Sequence, residues 1–527
     1  MSHYYYYSNG EEISLFPVKD VIAIKNEEGE SHHRRLLTED SEEENKSLFS
    51  IPQYGIEVYK TEDSGMQPVS FTNSEVQTVP VLKHSPNDPN LIFVDDKFLV
   101  KFKPEVTKNQ IDELNKQYNV KVIKPLGYSE NGYVLQAPTE SDPMNVVDVA
   151  NKYYESGLAV YSHPNFIRER HREPILAERT IEPEVIEEEN LTGVFFSQQW
   201  HLPIAKIIEA WTVTMGNPNI KVAILDDGVD VTHPEFQGKV VNQFDFEKNI
   251  PDGTPKIGDQ NTCLLDDCHG TACAGVAVSS GVKAYGSAPK CSLIAVRTPK
   301  YLGVIQEGEM FQWATDNGAD VISCSWGPGR RKGVSFPLTD DTREAITYCA
   351  THGRNGNGIP IFFAAGNYQE DTSLNGYCTH PNVITIAASS SNEESSFYSN
   401  FGDEVVVCAP SSGDKTKGEK SIFTTDRQRE QGYNKGNIRT GDLQGDYTNE
   451  FGGTSSSTPF VAGVAGLLLS VNPNLNWKEI RDILAKTADK IGDQNTYRNS
   501  SLGKHSQFYG YGRINAFEAV KEALRTV

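Results

Sequence analysis

The sequence predicts an α/β fold for residues 195–527, with a mainly parallel sheet covered by helices on both faces. Beyond residue 198 helical patterns alternate with short, continuously apolar segments. Such strands are buried on both faces, as in a parallel sheet packed between helices. The segments are 222–225, 293–296, 321–323, 359–364, 383–387 and 405–408. Functional side chains are expected at the carboxyl ends of these strands.

A second, smaller α+β fold is predicted for residues 91–166. Residues 97–102 alternate apolar and polar side chains like a half-buried strand. Thr107 and Gln110 form a capping-box signature that opens an amphipathic helix. Two strands, a second helix and a last strand follow at 120–124, 132–137, 142–155 and 159–162. This β-α-β-β-α-β order predicts a ferredoxin-like sandwich, which by itself indicates no function.

Two further regions complete the predicted organisation. Residues 1–90 contain short strand patterns and an acidic run at 39–44, and we assign them no role. Residues 167–194 are basic at first and then strongly acidic, which predicts a linker that few contacts cross. The predicted regions are therefore 1–90, 91–166, 167–194 and 195–527.

The overall charge excludes some classes of partner. Lys and Arg number 49 against 71 Asp and Glu, and the net charge of −22 argues against nucleic acid and anionic membrane surfaces. No apolar run approaches the ~20 residues of a membrane span. The tyrosine-rich start lacks the pattern of a signal peptide. A cytoplasmic location is the default expectation, although export by another route stays open.

The eight cysteines all lie between residues 263 and 408. A disulfide framework is not expected in a long chain without an export signal. The absence of a Cys-x-x-Cys pair disfavours a zinc site. We interpret the cysteines as small buried thiols.

Ser455 is the candidate nucleophile. It follows a Gly-Gly-Thr sequence and precedes an apolar helical pattern at 461–469. Because proline is tolerated in the first turn of a helix, Pro459 predicts a helix that begins close to Ser455. The N–H of this serine would then point out of a helix N-terminus, where it could stabilise an oxyanion. The alternative is an N-capping serine, which is far more common.

Three other residues are candidates for the same chemistry. Asp226 ends a buried strand before a glycine, so it is either a turn residue or the carboxylate that orients a base. His269 stands among small residues and is either a structural histidine or that base. Asn367 ends another buried strand and is either a turn residue or an oxyanion donor. A nucleophile requires such partners close by.

The order Asp, His, Asn, Ser and the motifs around these residues resemble the subtilisin-like serine proteases, and more closely their kexin/furin-type branch. The matching motifs include Gln199-Trp-His-Leu202, Leu225-Asp-Asp-Gly-Val-Asp230, His269-Gly-Thr-Ala-Cys-Ala-Gly275, Cys324-Ser-Trp-Gly-Pro328, Ala365-Gly-Asn367 and Gly452-Gly-Thr-Ser455. A last helix at 516–524 leaves no room for the C-terminal β-domain of eukaryotic convertases. Bacterial kexin-like, calcium-dependent subtilases are therefore the nearest resemblance.

The resemblance implies a serine endopeptidase that hydrolyses peptide bonds through an acyl-enzyme. Ser455 would be the nucleophile, and His269 would act first as its general base and then as a general acid. Asp226 would orient His269 and stabilise its charged form. Asn367 and the N–H of Ser455 would form the oxyanion hole.

The resemblance also implies how protein or peptide substrates bind. Ser325, Trp326 and Gly327 would form a strand edge that pairs with the substrate backbone. Asp227 and Asp266 are acids that could contact the side chain at P2, the second residue before the scissile bond.

In this family a ferredoxin-like segment is a common prodomain, which assists folding and inhibits the enzyme until it is cut away. The resemblance gives this role to residues 91–166, so the chain's own prodomain is an expected inhibitor. Residues 167–194 would contain the activation site, with Arg170, Arg172 and Arg179 as the first cleavage points to inspect.

The sequence departs from the kexin-type pattern around the P1 pocket. Residues 329–331, Gly-Arg-Arg, stand where acids are usual, and Asn375 and Asn400 replace acids. A basic P1 side chain would meet a positive charge and amides in place of carboxylates. We therefore expect an endopeptidase without strict dibasic specificity.

The resemblance implies calcium, although few of its ligands are kept. The changes near the P1 pocket remove ligands of one calcium site. The family's second site uses a loop after the histidine helix, and here residues 278–286 are shorter than usual. Gly193 replaces an acid there, so Glu235 is the remaining candidate ligand. No organic cofactor is expected.

Two alternatives use the same residues. The first is a peptide-binding pseudoprotease, which is disfavoured because every catalytic residue is present. The second is a peptide ligase or cyclase, which would exclude water from the acyl-enzyme. No inserted segment in the sequence suggests a lid of that kind.

Overall fold

The computed structural model describes residues 4–25, 47–60, 77–138, 142–172, 195–256, 267–429 and 431–526. The helices are α1 Lys108–Gln117, α2 Asn145–Glu155, α3 His201–Ile204, α4 Ile207–Trp211, α5 His269–Val278, α6 Val304–Asp316, α7 Asp340–His352, α8 Thr454–Val471, α9 Trp477–Thr487 and α10 Ala516–Arg525. The strands of the first half are β1 Tyr4–Ser8, β2 Glu11–Pro17, β3 Val21–Lys25, β4 Phe49–Ile51, β5 Ile56–Lys60, β6 Gln77–Val79, β7 Val81–Lys83, β8 Ile92–Phe102, β9 Lys121–Pro125, β10 Gly132–Gln136, β11 Ala159–Glu169 and β12 His171–Arg172. The later strands are β13 Lys221–Asp226, β14 Val240–Asp245, β15 Ser292–Arg297, β16 Tyr301–Gly303, β17 Val321–Cys324, β18 Trp326–Gly327, β19 Ile361–Ala364, β20 Val383–Ser389, β21 Val405–Pro410, β22 Ile422–Thr425, β23 Tyr447–Phe451, β24 Arg498–Ser500 and β25 Gly503–His505.

The chain divides into two compact units. The first combines residues 1–169 with two later segments, 301–309 and 337–345. The second contains 170–300, 310–336 and 346–527. The predicted linker at 167–194 is therefore divided: residues 167–172 lie in β11 and β12 or join them, and 173–194 fall outside the described residues.

The first unit contains the predicted sandwich elements. Strands β8, β9, β10 and β11 and helices α1 and α2 follow in the predicted order. The strands lie in the order β9-β10-β8-β11, and each neighbouring pair is antiparallel. Thr107 caps α1, and its side chain and that of Gln110 form the predicted capping box.

The sheet of the first unit extends into the N-terminal region. Strand β7 pairs with β8 through Val81 and Phe93, and β2 and β1 continue the sheet outward. The sequence boundary near residue 90 therefore does not separate two compact units. Local sequence patterns contain no information about this long-range strand pairing, which explains why the boundary was placed there.

Segments from later in the chain complete the first unit. Strand β16 pairs antiparallel with the end of β11. His163 on β11 lies 3.0 Å from the carboxylate of Asp341, and both side chains are fully buried. Lys124 forms an ion pair with Glu309. Strand β11 and Lys124 on β9 thus contact chain that follows the predicted activation site.

The second unit is built around a seven-stranded sheet in the order β14-β15-β13-β17-β19-β20-β21. All its strand pairs are parallel, and it contains the six strands predicted from the sequence. The sequence analysis missed β14, because this edge strand is only partly buried and contains Asn242 and Gln243.

Both faces of this sheet are covered. On β19, Phe362 belongs to the main apolar core together with α8 residues such as Leu468. Its neighbour Phe363 packs on the opposite face against Phe311 of α6, with ring centroids 6.4 Å apart. The seven cysteines within the described residues are all buried free thiols, as predicted.

Helix α8 is, among the described residues, the one helix long and apolar enough to cross a membrane by length and composition. However, 89% of it is buried inside the protein. It is the central core helix of the second unit, and Ser455 lies in its first turn.

Candidate active site

Ser455 is the second residue of α8, as the sequence predicted. The helix begins at Thr454 after Gly453, whose φ is 74°. A β-carbon at Gly453 would lie 2.6 Å from Nδ2 of Asn367. Glycine is therefore required at this position both by its backbone angle and by the close approach of the amide.

Pro459 differs from its prediction, because it lies beyond the first turn of α8. A proline has no N–H, so the carbonyl of Ser455, four residues earlier, loses its helical partner. This carbonyl instead accepts a hydrogen bond from the hydroxyl of Ser325 at 3.1 Å and from the thiol of Cys273 at 3.6 Å. Because the proline leaves this carbonyl without a helical partner, the first turn of α8 is hydrogen-bonded to the segments that contain Ser325 and Cys273.

Asp226 and His269 form a buried pair. Asp226 ends β13, and His269 is the first residue of α5. The Oδ1 atom of Asp226 lies 2.9 Å from Nδ1 of His269. The structure therefore brings together the two residues that the sequence proposed as carboxylate and base.

When both groups are ionised, the charges of Asp226 and His269 stabilise each other. Burial by itself raises the pKa of Asp226, but the charge of His269 outweighs it and the net pKa is lowered. Burial alone would lower the pKa of His269, yet the carboxylate of Asp226 raises it well above its usual value. A histidine in this position readily accepts a proton.

Cys273 lies between His269 and Ser455. Its Sγ is 3.6 Å from Nδ1 of His269 and 3.6 Å from the carbonyl oxygen of Ser455. Burial raises the pKa of this thiol to about 11, so it is uncharged at neutral pH. The contacts place the imidazole and the first turn of α8 beside each other.

Asn367 is held in one orientation by Thr454. Its Oδ1 accepts hydrogen bonds from the backbone N–H of Thr454 at 2.8 Å and from its hydroxyl at 3.0 Å. Because the oxygen is occupied in this way, Nδ2 points toward Gly453 and the start of α8.

Besides Oδ2 of Asp226, three polar atoms of this cluster have no hydrogen-bond partner within the described residues. They are Nε2 of His269, Oγ of Ser455 and Nδ2 of Asn367, and each is buried. Buried polar atoms are normally hydrogen-bonded, and exceptions occur at catalytic sites.

Asp227 has a second function beside the predicted substrate contact. Its carboxylate accepts hydrogen bonds from the N–H groups of His269 at 3.0 Å and Gly270 at 2.6 Å. It therefore caps α5 and positions the imidazole. Burial raises the pKa of Asp227 to about 6, with Arg172 opposing and Asp226 and Asp267 adding to the rise.

The predicted strand edge is occupied by a short segment of the same chain. Strand β12 pairs antiparallel with β18, with Arg172 opposite Trp326 and His171 opposite Gly327. The guanidinium of Arg170 lies 3.7 Å from the centre of the Trp326 ring. Residues 170–172 thus bind this edge in the manner expected of a substrate.

Arg172 extends into an acidic site. Its NH1 lies 3.5 Å from Oδ2 of Asp227 and 3.3 Å from Oδ1 of Asp267. The other predicted acid, Asp266, lies outside the described residues. Asp267 is shared with the buried Arg297, whose Nε is 2.7 Å away.

Around the predicted P1 pocket, the substituted residues take part in hydrogen bonds with backbone N–H groups or carboxylates of neighbouring loops. The backbone N–H groups of Arg331 and Lys332 bind the carboxylate of Glu370, at 2.7 and 2.6 Å. Asn375 and Asn400 accept backbone N–H groups in neighbouring loops. These contacts hold the loops that carry the substituted residues, and the specificity at P1 stays a prediction.

Glu235, the predicted metal ligand, is fully buried. Its carboxylate is surrounded by N–H and O–H donors from the loop after α5 and from Tyr447. Calcium requires oxygen ligands, so this donor set does not fit a calcium ion. The structure does not support the sequence expectation for Glu235.

Sequence reasoning missed three contributors to the site. Thr454 orients Asn367, Asp267 contacts Arg172, and Cys273 of α5 contacts the first turn of α8. Each stands within a quoted motif or no more than two residues from one. Its contact, however, depends on residues that are distant in sequence, and no local signal separated Asp267 from Asp266.

Comparisons with known proteins agree with this geometry. The Subtilase family matches residues 217–512. The calcium-dependent protease of Nostoc sp. is 37% identical over 474 residues, which cover 85% of this chain and 67% of that protein. The dibasic-processing endoprotease of Schizosaccharomyces pombe is 27% identical over 450 residues, which cover 81% and 59%.

A solved structure shows the same fold. Fervidolysin from Fervidobacterium pennivorans, a keratinolytic enzyme related to subtilisin, matches with a TM-score of 0.60 at 22% identity, over 83% of this chain and 62% of that one. The present chain thus spans about two thirds or less of the length of each of these proteins. The family match covers more than half of the chain and includes every residue of the candidate triad. The chain belongs to the subtilase family of serine endopeptidases.

Proposed function

We propose that the chain hydrolyses peptide bonds through Asp226, His269 and Ser455, with an acyl-enzyme intermediate. The observation that carries this proposal is the set of buried, unpartnered atoms Nε2 of His269, Oγ of Ser455 and Nδ2 of Asn367. They are the base, the nucleophile and the oxyanion donor that acyl transfer requires. The contacts of Cys273 and Thr454 support their placement in one site.

Each residue then has a defined role. Oγ of Ser455 attacks the scissile carbonyl carbon while Nε2 of His269 takes the hydroxyl proton, and Asp226 stabilises the imidazolium. Nδ2 of Asn367 and the N–H of Ser455 stabilise the oxyanion, where one donor contributes about 3–4 kcal/mol. The C–N bond breaks, and His269 gives its proton to the leaving amine. Water repeats the sequence on the ester and restores Ser455.

Covalent labelling tests this proposal directly. A fluorophosphonate probe should label the wild-type chain on Ser455 and should not label Ser455→Ala, because the reaction requires an activated serine. A pseudoprotease that binds peptides without an activated serine would remain unlabelled. Product analysis with an added amine nucleophile tests the peptide-ligase alternative, since a ligase would give mainly amide products and a hydrolase mainly acids.

We further propose that Asp227 and Asp267 recognise a basic side chain at P2. The support comes from Arg172, which lies in register on the strand edge with its guanidinium between the two acids. A peptide that continues in this register would place its next residue opposite Ser325, whose hydroxyl contacts the carbonyl of Ser455. Arg172 therefore corresponds to the second residue before the scissile bond.

A P2 library should show this preference. At pH 8 we expect peptides with Arg at P2 to be cleaved roughly tenfold or more faster than matched peptides with Leu, in kcat/KM, because one charge-assisted contact contributes about 1.5–3 kcal/mol. In Asp227→Asn the Arg-to-Leu ratio should approach one. No comparable demand for a basic residue is expected at P1.

The same ratio should depend on pH. The pKa of Asp227 is raised to about 6, so its charge is present above that pH and is lost as the pH falls through it. The Arg-to-Leu ratio of kcat/KM should therefore be smaller at pH 5 than at pH 8. Titration of His269 changes kcat/KM of both peptides equally, so it does not change their ratio. A cleavage profile dominated by paired basic residues at P1 and P2, or a ratio that Asp266→Asn alone abolishes, would contradict this assignment.

A further inference from the structure

The carboxylate of Glu235 joins three separate segments of the second unit. It lies on the short helix Pro234–Phe236 and has no exposed surface. Its Oε2 accepts from the Ser280 hydroxyl at 3.0 Å and from the N–H groups of Gly281 at 2.8 Å and Val282 at 2.9 Å. Its Oε1 accepts from the N–H groups of Lys283 at 2.7 Å and Ala284 at 2.9 Å and from the Tyr447 hydroxyl at 2.9 Å.

This loop presents N–H donors to Glu235, whereas a calcium site presents oxygen atoms to the ion. Calcium binds 6–8 oxygen ligands at about 2.3–2.6 Å, whereas residues 281–284 direct successive N–H groups at Glu235. Such a row of amides attracts an anion. A cation at the carboxylate would have to displace these donors and would face the positive ends of four peptide dipoles.

The carboxylate remains ionised in its buried position. Burial alone raises the pKa of Glu235, but the N–H groups of Ala284, Lys283 and Val282 and the hydroxyl of Tyr447 outweigh it and lower the pKa. The negative charge is therefore balanced by the loop itself, without a metal ion.

The loop is also held by neighbouring groups. The N–H of Tyr285 donates to Oε1 of Gln199, and the N–H of Phe195 donates to the carbonyl of Lys283. The ring of Phe195 packs in a small apolar cluster with Ala284, Phe423 and Tyr447. The loop, the segment at Phe195 and strand β23 thus meet around one buried charge.

We infer that Glu235 holds the loop of residues 279–286 in place of the calcium ion that the family resemblance assigns there. The loop continues directly from α5, which carries His269, and Tyr447 opens β23, the strand that precedes Ser455. Glu235 thus links, by hydrogen bonds and without a metal ion, the two chain segments that carry the base and the nucleophile. This inference is independent of the proposed catalytic mechanism.

Hydrogen exchange of the loop amides tests whether Glu235 holds the loop, without measuring activity. The experiment uses the full chain with Ser455→Ala, which prevents self-digestion, in buffer with 5 mM EDTA or with 10 mM calcium chloride. We expect the amides of residues 281–284 to be equally protected in both buffers. In Glu235→Gln they should exchange roughly tenfold or more faster in both, because the charged acceptor is replaced by an amide that also carries donors.

Every other outcome overturns the inference. Protection that is lost in EDTA and restored by calcium would assign the loop to the metal, even if calcium also binds elsewhere. Unchanged protection in Glu235→Gln would show that the carboxylate does not hold the loop. Glu209→Gln, a substitution of a partly exposed acid in the same unit, is the matched control and should leave the exchange of the loop unchanged.

Discussion

Substitution of Ser455 by alanine should reduce peptide hydrolysis by roughly 10⁴-fold or more, because the nucleophile of the proposed mechanism is removed. His269→Ala and Asp226→Ala should each reduce the rate of peptide hydrolysis by several orders of magnitude. The losses should not add, since Ser455, His269 and Asp226 act as one unit. Steady-state kinetics of the three single variants and of the triple variant measure this effect.

Asp227→Asn is the matched control for Asp226. Both carboxylates are buried at the end of β13, but Asp227 contacts the backbone of α5 and Arg172 rather than the imidazole. Asp227→Asn should therefore reduce peptide hydrolysis much less than substitution of Asp226, although it weakens the cap of α5. An equal loss for both variants would mean that the wrong aspartate was assigned, and hydrolysis by Ser455→Ala would refute the triad.

Wild-type chains should be cut between residues 167 and 195, whereas Ser455→Ala chains should stay whole. The reason is that residues 170–172 already lie on the strand edge in the register of a substrate, with Arg172 opposite Trp326. With Arg172 as the second residue before the scissile bond, the bond to be cleaved would follow Glu173, one residue closer to Ser455. Intact-mass measurement and N-terminal sequencing of both proteins show where the chain is cut and whether the cut requires Ser455.

The cut protein should remain one particle in size-exclusion chromatography until the N-terminal fragment is degraded. The first unit contains residues from both sides of the cut, joined by the pairing of β11 with β16 and by the buried contact of His163 with Asp341. Residues 1–169 would then act as an inhibitor after cleavage. Fully active enzyme with an intact Met1 or Ser2 would instead make this region a permanent domain of the working enzyme.

Local sequence was sufficient to predict the strands of the parallel sheet and to select the candidate site residues. The six apolar strands were visible because a parallel strand buried on both faces is apolar throughout, and α1 was visible because its capping box lies within four residues. Asp226, His269, Asn367 and Ser455 were found because each stands at the end of a strand or the start of a helix in a recognisable motif. These signals depend only on neighbours in the chain.

The tertiary structure decided the features that depend on distant partners. The N-terminal strands proved to belong to the sheet of the sandwich, and Asp267 proved to be one of the acids that contact Arg172. Glu235 was expected to be a calcium ligand because of the family resemblance, but a carboxylate beside a loop can contact either a cation or a row of amides. Only the fold determines which of the two faces it, since the direction of the N–H groups of residues 281–284 is set by backbone conformation and cannot be read from their side chains.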